Sequence, residues 1–417
     1  MRNISYFCTV KCLRHIFTLA AICFISLFSS EIKAMSYTVE QTGVYGDSIR
    51  ISLLTCSPGN EVYSLYGHTA IRYTDMSRNI DVAVNYGVFS FSKPFFVLRF
   101  IFGLTDYEMG IVPFDYFCSE YRAEGRSVYQ QELNLTAEDK LAIRDAIDNN
   151  YLPQNRVYRY NYFYDNCTTR ARNIIFDHIS GTVIYSDSTD CYPSYRSLIH
   201  ASNEDFPWAR FGNDILLGVR ADRKTDRAEH QFLPLLLQED FDKAGIMESD
   251  GSVRPLVRRS EYVVQCGPRM VAGGFPLRPV VCACIILFLV LAVTVAEMVL
   301  KKRFWFADAF LMTLDGLMGI ILFMMLFSEH PATSTNLQVL LFNPIPLFYV
   351  VRVTKSTLKK RHEAFWKYAA AVIVLFLVGG FFQRYAEGVY VLALSLLIRC
   401  VWNIVYQNKY LSDKRND

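Results

Sequence analysis

One short stretch carries most of the information about the fold and its chemistry: YFYDNCTTR, residues 162–170. The pattern predicts that a loop gives way to a helix at Cys167 and that this helix continues to Ile179. The N-terminus of a helix offers free backbone N–H groups and a partial positive charge, and both favour a thiolate over a thiol. We therefore expect the pKa of Cys167 to lie below the ordinary value of about 8.5. The same N–H groups are suited to holding an oxyanion.

A second stretch, YGHTAIRY at residues 66–73, supplies the histidine that is best placed to act on Cys167. Its alternating side chains predict a strand that begins at His68, and a nearby imidazole would complete an activated nucleophile. His178 lies eleven residues after Cys167 on the same predicted helix, which is about 16 Å along the helix axis and out of reach. Two further histidines lie in less regular, polar sequence and are expected at the surface: His200 and His230.

Two polar residues on or beside the next predicted strand, Val82–Val88, are candidates for orienting the His68 imidazole. They are Asp81 and Asn85. Asp81 is slightly favoured because a carboxylate stabilises an imidazolium. The alternative for both residues is ordinary solvation of a strand end.

The alternative interpretation of Cys167 is a disulfide partner or a buried thiol. Residues 35–278 hold five cysteines: Cys56, Cys118, Cys167, Cys191 and Cys266. An odd number leaves at least one thiol unpaired within the monomer, although this does not select Cys167. No spacing of histidine, cysteine and aspartate matches a zinc site, so no metal is predicted.

The composition excludes several classes of protein. Hydrophobic residues make up 52% of the 417 residues, charged residues make up 20%, and the mean hydropathy is +0.16. These values exclude a disordered chain. The net charge of +3 and the lack of a basic stripe argue against nucleic acid as a partner. Strand and helix patterns are mixed across residues 35–278, which predicts an α+β domain.

Five apolar stretches occur from Pro279 onward, each near the roughly 20 residues that span a bilayer. They cover residues 279–296, 304–328, 337–351, 365–382 and 389–406. Basic residues follow the first, third and fifth stretches, and basic loops stay in the cytoplasm. We therefore predict that residues 279–417 form a transmembrane domain with five helices and a cytoplasmic C-terminus. Residues 35–278 are then an external domain.

Residues 1–34 have the features of a secretory signal peptide. Basic residues precede an apolar core at Ile16–Phe28, and a possible cleavage site follows Ala34. An uncleaved anchor is the alternative, but the apolar core is shorter than a spanning helix.

Three charged residues fall inside the predicted spans: Asp308, Asp315 and Arg399. They predict either an ion pair that holds the bundle together or a polar lining for a lipid or a proton, and the ion pair is favoured. The phenylalanine-rich segment Ser90–Leu104 also has two interpretations. It is a helix in the lipid interface that guides acyl chains, or a core helix of the external domain, and the core helix is favoured.

Taken together, these motifs resemble the Lnb family of bacterial lipoprotein N-acyltransferases. The matching segments are YGHTAIR at 66–72, NYG at 85–87, DNCTTR at 165–170, SEHP at 328–331 and NP at 343–344. A histidine that opens a strand, followed later by an Asn-Cys that opens a helix, also resembles the circularly permuted papain-like fold of lecithin:retinol acyltransferase and its phospholipid N-acyltransferase relatives. The resemblance implies an α+β, permuted papain-like (NlpC/P60-like) external domain, followed by an all-α five-helix transmembrane bundle.

The resemblance also implies a reaction. Cys167 takes an acyl chain from a phospholipid as a thioester, and His68 assists with Asp81 or Asn85. The chain then passes to the α-amine of the diacylglyceryl-cysteine of a lipoprotein, on the periplasmic side of the inner membrane. No cofactor or metal is needed. The predicted substrate-binding residues are Tyr164, Asn166 and Arg170 near the cysteine, with Glu329 and His330 in an outer loop, where simple solvation is the alternative.

Two other functions remain open on the sequence. A cysteine–histidine peptidase or amidase of the cell envelope would share the pair but pass the acyl group to water, and it would not require five spans. A non-enzymatic membrane scaffold would tolerate replacement of Cys167.

Overall fold

The computed structural model describes residues 45–89, 94–187, 192–271 and 273–410. The predicted signal peptide, residues 1–34, and Cys191 lie outside the described residues. The strands are β1 Ile49–Cys56, β2 His68–Asp75, β3 Ile80–Val88, β4 Asp106–Pro113, β5 Val128–Leu133, β6 Val157–Arg159, β7 Thr182–Tyr185, β8 Ala244–Met247, β9 Val253–Pro255 and β10 Val257–Val264.

Nine helices accompany these strands before residue 279 in the described ranges. They are α1 Tyr45–Ser48, α2 Phe96–Ile101, α3 Phe114–Ala123, α4 Ala137–Tyr151, α5 Cys167–Phe176, α6 Tyr195–Ser202, α7 Pro207–Leu216, α8 Arg227–His230 and α9 Pro234–Lys243. The later helices are α10 Pro279–Leu300, α11 Trp305–Met325, α12 Ile345–Leu358, α13 Phe365–Gly379 and α14 Val389–Tyr410. A sheet-rich α+β domain therefore precedes a helical segment, as predicted.

The centre of the first domain is a seven-stranded antiparallel sheet with the order β10-β5-β1-β2-β3-β4-β6. One face packs Ile51, Ile71 and Val84 against helices α4, α5 and α9. The other face packs Leu54 and Ala70, among others, against α3. Because apolar side chains are removed from water on both faces, the sheet forms the central layer of the domain. A smaller three-stranded sheet, β7-β8-β9, packs Ala244 and Ile246 into the same core as the first of these faces.

Local sequence signals account for several element boundaries. Thr136 caps α4 in a capping box with Asp139, as its position before an acidic first turn predicts. An Asp-Gly pair, a common hairpin signal, joins β8 to β9 at Asp250-Gly251, and Gly251 adopts a positive φ of 85° in the turn. Strand β4 and helix α3 carry no clear local signal in the sequence, and both pack on β3.

Four described segments after residue 278 are long and apolar enough to cross a membrane. They are Pro279–Leu300, Trp305–Met325, Leu337–Leu358 and Val389–Lys409. The remaining helix, Phe365–Gly379, is apolar but shorter. Five helices are present as predicted. Four segments qualify as spans by length and composition, and the third of them joins a 3₁₀ turn at Leu337–Leu340 to α12.

The ion pair predicted for the charged residues inside the spans is present for two of the three residues, Asp308 and Arg399. Arg399 donates to Asp308 at 2.7 Å and to Glu297 at 2.9 Å, which ties α14 to α11 and α10. Burying such charges is tolerated only when they are paired and hydrogen-bonded. Asp315 is not part of this cluster, and its Oδ1 atom has no hydrogen-bond partner among the described residues.

The expectation of a core helix in the phenylalanine-rich segment is wrong. No residue of α2 is buried, and Phe95 and Val97 are 80% and 71% exposed. The helix packs on the loop after α11 instead of on the sheet: the Glu329 N–H donates to Phe102 O at 3.0 Å, and His330 Nε2 donates to Phe100 O at 2.7 Å.

A glycine makes this close approach possible. Gly103 has a φ of 70°, and a Cβ at that position would lie 2.7 Å from the His330 nitrogen. The exposed apolar helix α2 is therefore fixed beside the end of α11, one of the candidate spans.

Candidate active site

Three secondary-structure elements bring His68, Asn85 and Cys167 together. His68 is the first residue of β2, which pairs with β3 so that Ala70 lies opposite Asn85. Helix α5 begins at Cys167 and packs on both strands. A buried contact between the Thr69 and Thr168 hydroxyls, 3.1 Å apart, joins β2 to the first turn of α5. The cysteine is thus held over the strand end that carries the histidine.

Asn166 determines where α5 begins. Its Oδ1 atom accepts from the N–H groups of Thr168 at 2.8 Å and Thr169 at 2.9 Å. Its amide group donates to the carbonyls of Tyr162 and Phe232. Asn166 is therefore a helix cap. These contacts occupy the Asn166 side chain, although the residue also lines the cavity at Cys167, and its role in substrate binding stays a prediction. The cap does not use the N–H of Cys167 itself.

The environment of Cys167 favours its thiolate. Burial alone raises the pKa of the thiol. The charge and hydrogen bond of His68, the Thr69 backbone N–H and the Thr168 hydroxyl outweigh burial and lower the pKa to about 7. The nucleophilic form is therefore well populated near neutral pH.

Asn85 fixes the orientation of the His68 ring. His68 Nε2 lies 2.9 Å from Asn85 Oδ1, which accepts its hydrogen. The neutral ring then carries its proton on Nε2, so Nδ1 is the free acceptor for the thiol proton. Burial lowers the pKa of His68, but the neighbouring Cys167 and the bond to Asn85 outweigh burial, and the net shift is upward. Both shifts favour a thiolate–imidazolium pair.

Gly87 lies beside His68 and Cys167, and its backbone conformation is what requires a glycine. Its φ is 141°, a conformation that side-chain-bearing residues rarely adopt. A Cβ at this position would lie 3.5 Å from His68 Cε1 and 3.8 Å from Cys167 Cβ. Gly87 lies at a register shift between β3 and β4, and such irregularities are frequent next to active sites.

The preference for Asp81 over Asn85 is wrong. Asp81 lies opposite Thr74 in the β2–β3 register and forms a salt bridge with Arg72 at 2.6 Å. It is four residues from Asn85 on the same strand, which is about 13 Å. Asp81 therefore stabilises the far end of the strand pair and does not contact His68.

A cavity of about 300 Å³ opens onto the cysteine and histidine. Aromatic side chains supply much of its wall: Tyr63, Tyr66, Phe89, Tyr107, Tyr160 and Tyr162. Polar groups, among them Asn85, Glu124 and Arg126, share the lining with these aromatic rings, and a concave site where aromatic surface meets convergent polar groups suits a small-molecule ligand. The clustered tyrosines at residues 158–164 were a signal in the sequence for this wall, whereas Tyr107 and Arg126 reach the cavity from segments with no such signal.

Four of the predicted substrate-binding residues do not line this cavity. Arg170 pairs with Asp165 at 2.6 Å, and Tyr164 is 49% exposed. Glu329 forms a salt bridge with Arg159 at 2.7 Å, and His330 holds α2 as described above. Arg170 and Tyr164 therefore lie outside the cavity lining, and Glu329 and His330 belong to the contact between the first domain and the loop after α11. No cluster able to hold a metal ion occurs among the described residues.

The pH dependence of alkylation tests the electrostatics of this site. Reaction of Cys167 with iodoacetamide is expected to rise with pH through a midpoint of about 7, because only the thiolate reacts. His68→Ala should move the midpoint toward about 8.5, the value of an ordinary thiol. Peptide mapping by mass spectrometry measures the modified fraction at each residue. Cys56 is an internal control, because burial raises its pKa to about 12. A midpoint above 8 in the wild type would contradict the thiolate assignment.

A pair of substitutions separates Asn85 from Asp81. Asn85→Ala removes the acceptor of the Nε2 hydrogen and is expected to slow alkylation of Cys167 at neutral pH by about 10-fold. Asp81→Asn removes only an exposed ion pair with Arg72, and such pairs contribute little. It should leave the rate within about twofold of the wild type. Equal effects of the two substitutions would argue against the orienting role of Asn85.

The fold and this site define a membrane protein whose first domain carries a cysteine–histidine–asparagine arrangement at a cavity. The family model described as the Lnb N-terminal periplasmic domain matches residues 38–200, and the Lnb transmembrane domain matches residues 272–410. These matches cover most of the chain, which therefore belongs to the Lnb family. The N-terminal domain is periplasmic, and the C-terminal region is a multi-pass transmembrane domain. No curated protein and no solved structure matches the chain.

Proposed function

We propose that this protein is a lipoprotein N-acyltransferase that moves an acyl chain from a phospholipid to the α-amine of a diacylglyceryl-cysteine. The observation that carries the proposal is a cysteine with a pKa of about 7, paired with His68 beside a cavity, in a periplasmic domain joined to a membrane bundle. Membership of the Lnb family is consistent with lipoprotein processing at a membrane.

In the first step, the Cys167 thiolate attacks the carbonyl carbon of a phospholipid acyl ester. The backbone N–H of Cys167 is suited to hold the oxyanion that forms, because the Asn166 cap leaves it unused. The carbon–oxygen bond then breaks, and the His68 imidazolium gives its proton to the departing lysophospholipid alkoxide. Cys167 is left as an acyl thioester, and His68 is neutral.

In the second step, the α-amine of the lipoprotein attacks the thioester carbonyl. His68 takes a proton from the amine through Nδ1, the carbon–sulfur bond breaks, and the Cys167 thiolate leaves. The products are an amide and the free enzyme with its original proton count. No redox change occurs, and the two steps imply ping-pong kinetics.

The exposed helix α2 supports access to a membrane substrate. Phe95, Val97, Leu98 and Phe100 are all exposed, and the contacts of Glu329 and His330 fix this helix beside α11. Exposed apolar patches of this kind are typical of membrane contact. We propose that α2 lies in the outer lipid interface of the inner membrane, where both substrates are found, with the C-terminus in the cytoplasm.

The proposed topology divides the protein into a signal peptide at residues 1–34, a periplasmic domain at 35–278 and a transmembrane domain at 279–417. The basic loops around Lys301 and Lys359 support this orientation, since such loops stay in the cytoplasm.

A reporter lipoprotein tests the function. The protein is expressed in cells that lack other N-acylation, and the intact mass of the reporter is measured. Wild type is expected to add one acyl mass on the N-terminal cysteine. If folded, membrane-inserted wild type adds nothing, or if it releases free fatty acid instead, the acyltransferase proposal fails and a hydrolase or scaffold becomes the better explanation.

A further inference from the structure

One buried cation faces the cavity without a full set of partners. Arg126 is 8% exposed and lines the same cavity as Cys167 and His68. Its Nε atom donates to Ser57 O at 2.8 Å, and Nη1 donates to Glu124 at 2.8 Å. Its Nη2 atom is buried and has no hydrogen-bond partner in the described part of the chain. An unmet buried donor is destabilising, so its presence at a cavity indicates a ligand acceptor.

The end of helix α3 places Arg126 there. Gly125 adopts a positive φ of 68°, the Arg126 N–H donates to Tyr121 O at 2.9 Å, and the Gly125 N–H donates to Arg122 O at 3.2 Å. This is the Schellman pattern that ends many helices. The turn directs Arg126 back under α3, where its guanidinium lies 4.7 Å from the centre of the Tyr121 ring. The Arg126 side chain is therefore fixed by three contacts, with the Ser57 carbonyl, the Glu124 carboxylate and the Tyr121 ring.

The charge of Arg126 acts on His68, one member of the cysteine–histidine pair. Burial, Cys167 and Asn85 have the larger effects on the pKa of His68, and the positive charge of Arg126 acts in the lowering direction. Only one carboxylate, Glu124, contacts Arg126, and that side chain is 46% exposed. A second carboxylate, Glu120, also lines this cavity, but no hydrogen bond or salt bridge joins it to Arg126 in the described part of the chain.

We propose that Arg126 Nη2 binds the phosphodiester of the phospholipid acyl donor. The inference rests on the proposed function and adds the residue that recognises the donor headgroup. Arginine is well suited to phosphate oxygens because its hydrogen bonds to them are charge-assisted. In a glycerophospholipid, the acyl ester and the phosphate are joined through one glycerol unit, so one cavity can hold both groups. The lipoprotein acceptor has no phosphate in its diacylglyceryl-cysteine, so this contact belongs to the first step only.

Two acyl donors distinguish this role from a structural one. Thioester formation on Cys167 is measured by intact mass in the purified full-length protein without acceptor. The donors are a phospholipid and a para-nitrophenyl fatty-acyl ester, which has no phosphate. Arg126→Gln is expected to slow thioester formation from the phospholipid by about 10- to 100-fold, the range for a hydrogen bond to a charged group. The rate with the phosphate-free ester should stay within about twofold of the wild type, because that donor has no phosphate to bind.

Two further variants complete the experiment. Arg126→Lys keeps the charge and should recover part of the phospholipid rate. Arg122→Gln changes an exposed arginine four residues earlier, in the last turn of α3, and should leave both rates unchanged. If Arg126→Gln slows both donors equally, or neither, the phosphate role is wrong. If the wild type forms a thioester from the ester but never from phospholipid, the proposed function fails, and the inference fails with it.

Discussion

Cys167→Ala is expected to abolish acyl transfer, lowering the rate by at least about 10³-fold, because in the proposed mechanism the Cys167 sulfur carries the acyl chain as a thioester. Cys167 is the described cysteine that meets His68 at the cavity, and burial raises the pKa of Cys56 and Cys118 instead. The measurement is the initial rate of lipoprotein acylation by purified protein with a phospholipid donor.

The matched control for this variant is Cys266→Ala. Cys266 is a half-buried free thiol in the same domain, but it lines a different cavity beside Ser127 and Tyr129. Its replacement should leave the rate unchanged. Full activity of Cys167→Ala, shown to be folded and in the membrane, would exclude a thioester mechanism.

His68→Ala is the second large effect, with an expected loss of about 10²- to 10⁴-fold, the range for general acid–base catalysis. In the proposed mechanism, His68 protonates the leaving lysophospholipid in the first step and accepts the amine proton in the second, so both half-reactions should slow. Separate measurements of thioester formation and of thioester transfer to the lipoprotein test this directly.

The control for His68 is His178→Gln. His178 lies just beyond α5, and its Nδ1 atom is 2.9 Å from Ile174 O, away from the cavity. It should retain full activity in both steps. If His68→Ala forms the thioester at the wild-type rate, the thiol remains the nucleophile but the assignment of its base is wrong.

The positions of Cys167 and His68 could be predicted from local sequence because each residue lies at an element boundary that the sequence encodes. Asn166 caps a helix, and this places Cys167 in its first turn. Alternating side chains define β2, and this places His68 at its start. Both signals act within a few residues, where propensity and capping are reliable guides.

The rest of the site depends on register and on distant turns. The choice between Asp81 and Asn85 is set by how β2 pairs with β3, which sequence periodicity alone does not fix. Arg126 reaches the cavity only because a turn at Gly125 reverses the chain after α3. Tyr164 and Arg170 are close to Cys167 in sequence, but they make their contacts elsewhere, because proximity along the chain does not decide which way a side chain points.

The most direct test of the central claim is a pulse and chase on the intact mass of the purified protein. A phospholipid with one defined acyl chain is added first, and a diacylated lipoprotein is added after the donor is removed. The proposed thioester mechanism predicts that the protein gains one acyl mass on Cys167 and that neutral hydroxylamine removes this mass. During the chase, the lipoprotein should take up the same mass at its α-amine. These results together define the mechanism. An acyl mass that never appears on Cys167, or one that leaves only as free fatty acid while the lipoprotein stays diacylated, would contradict it.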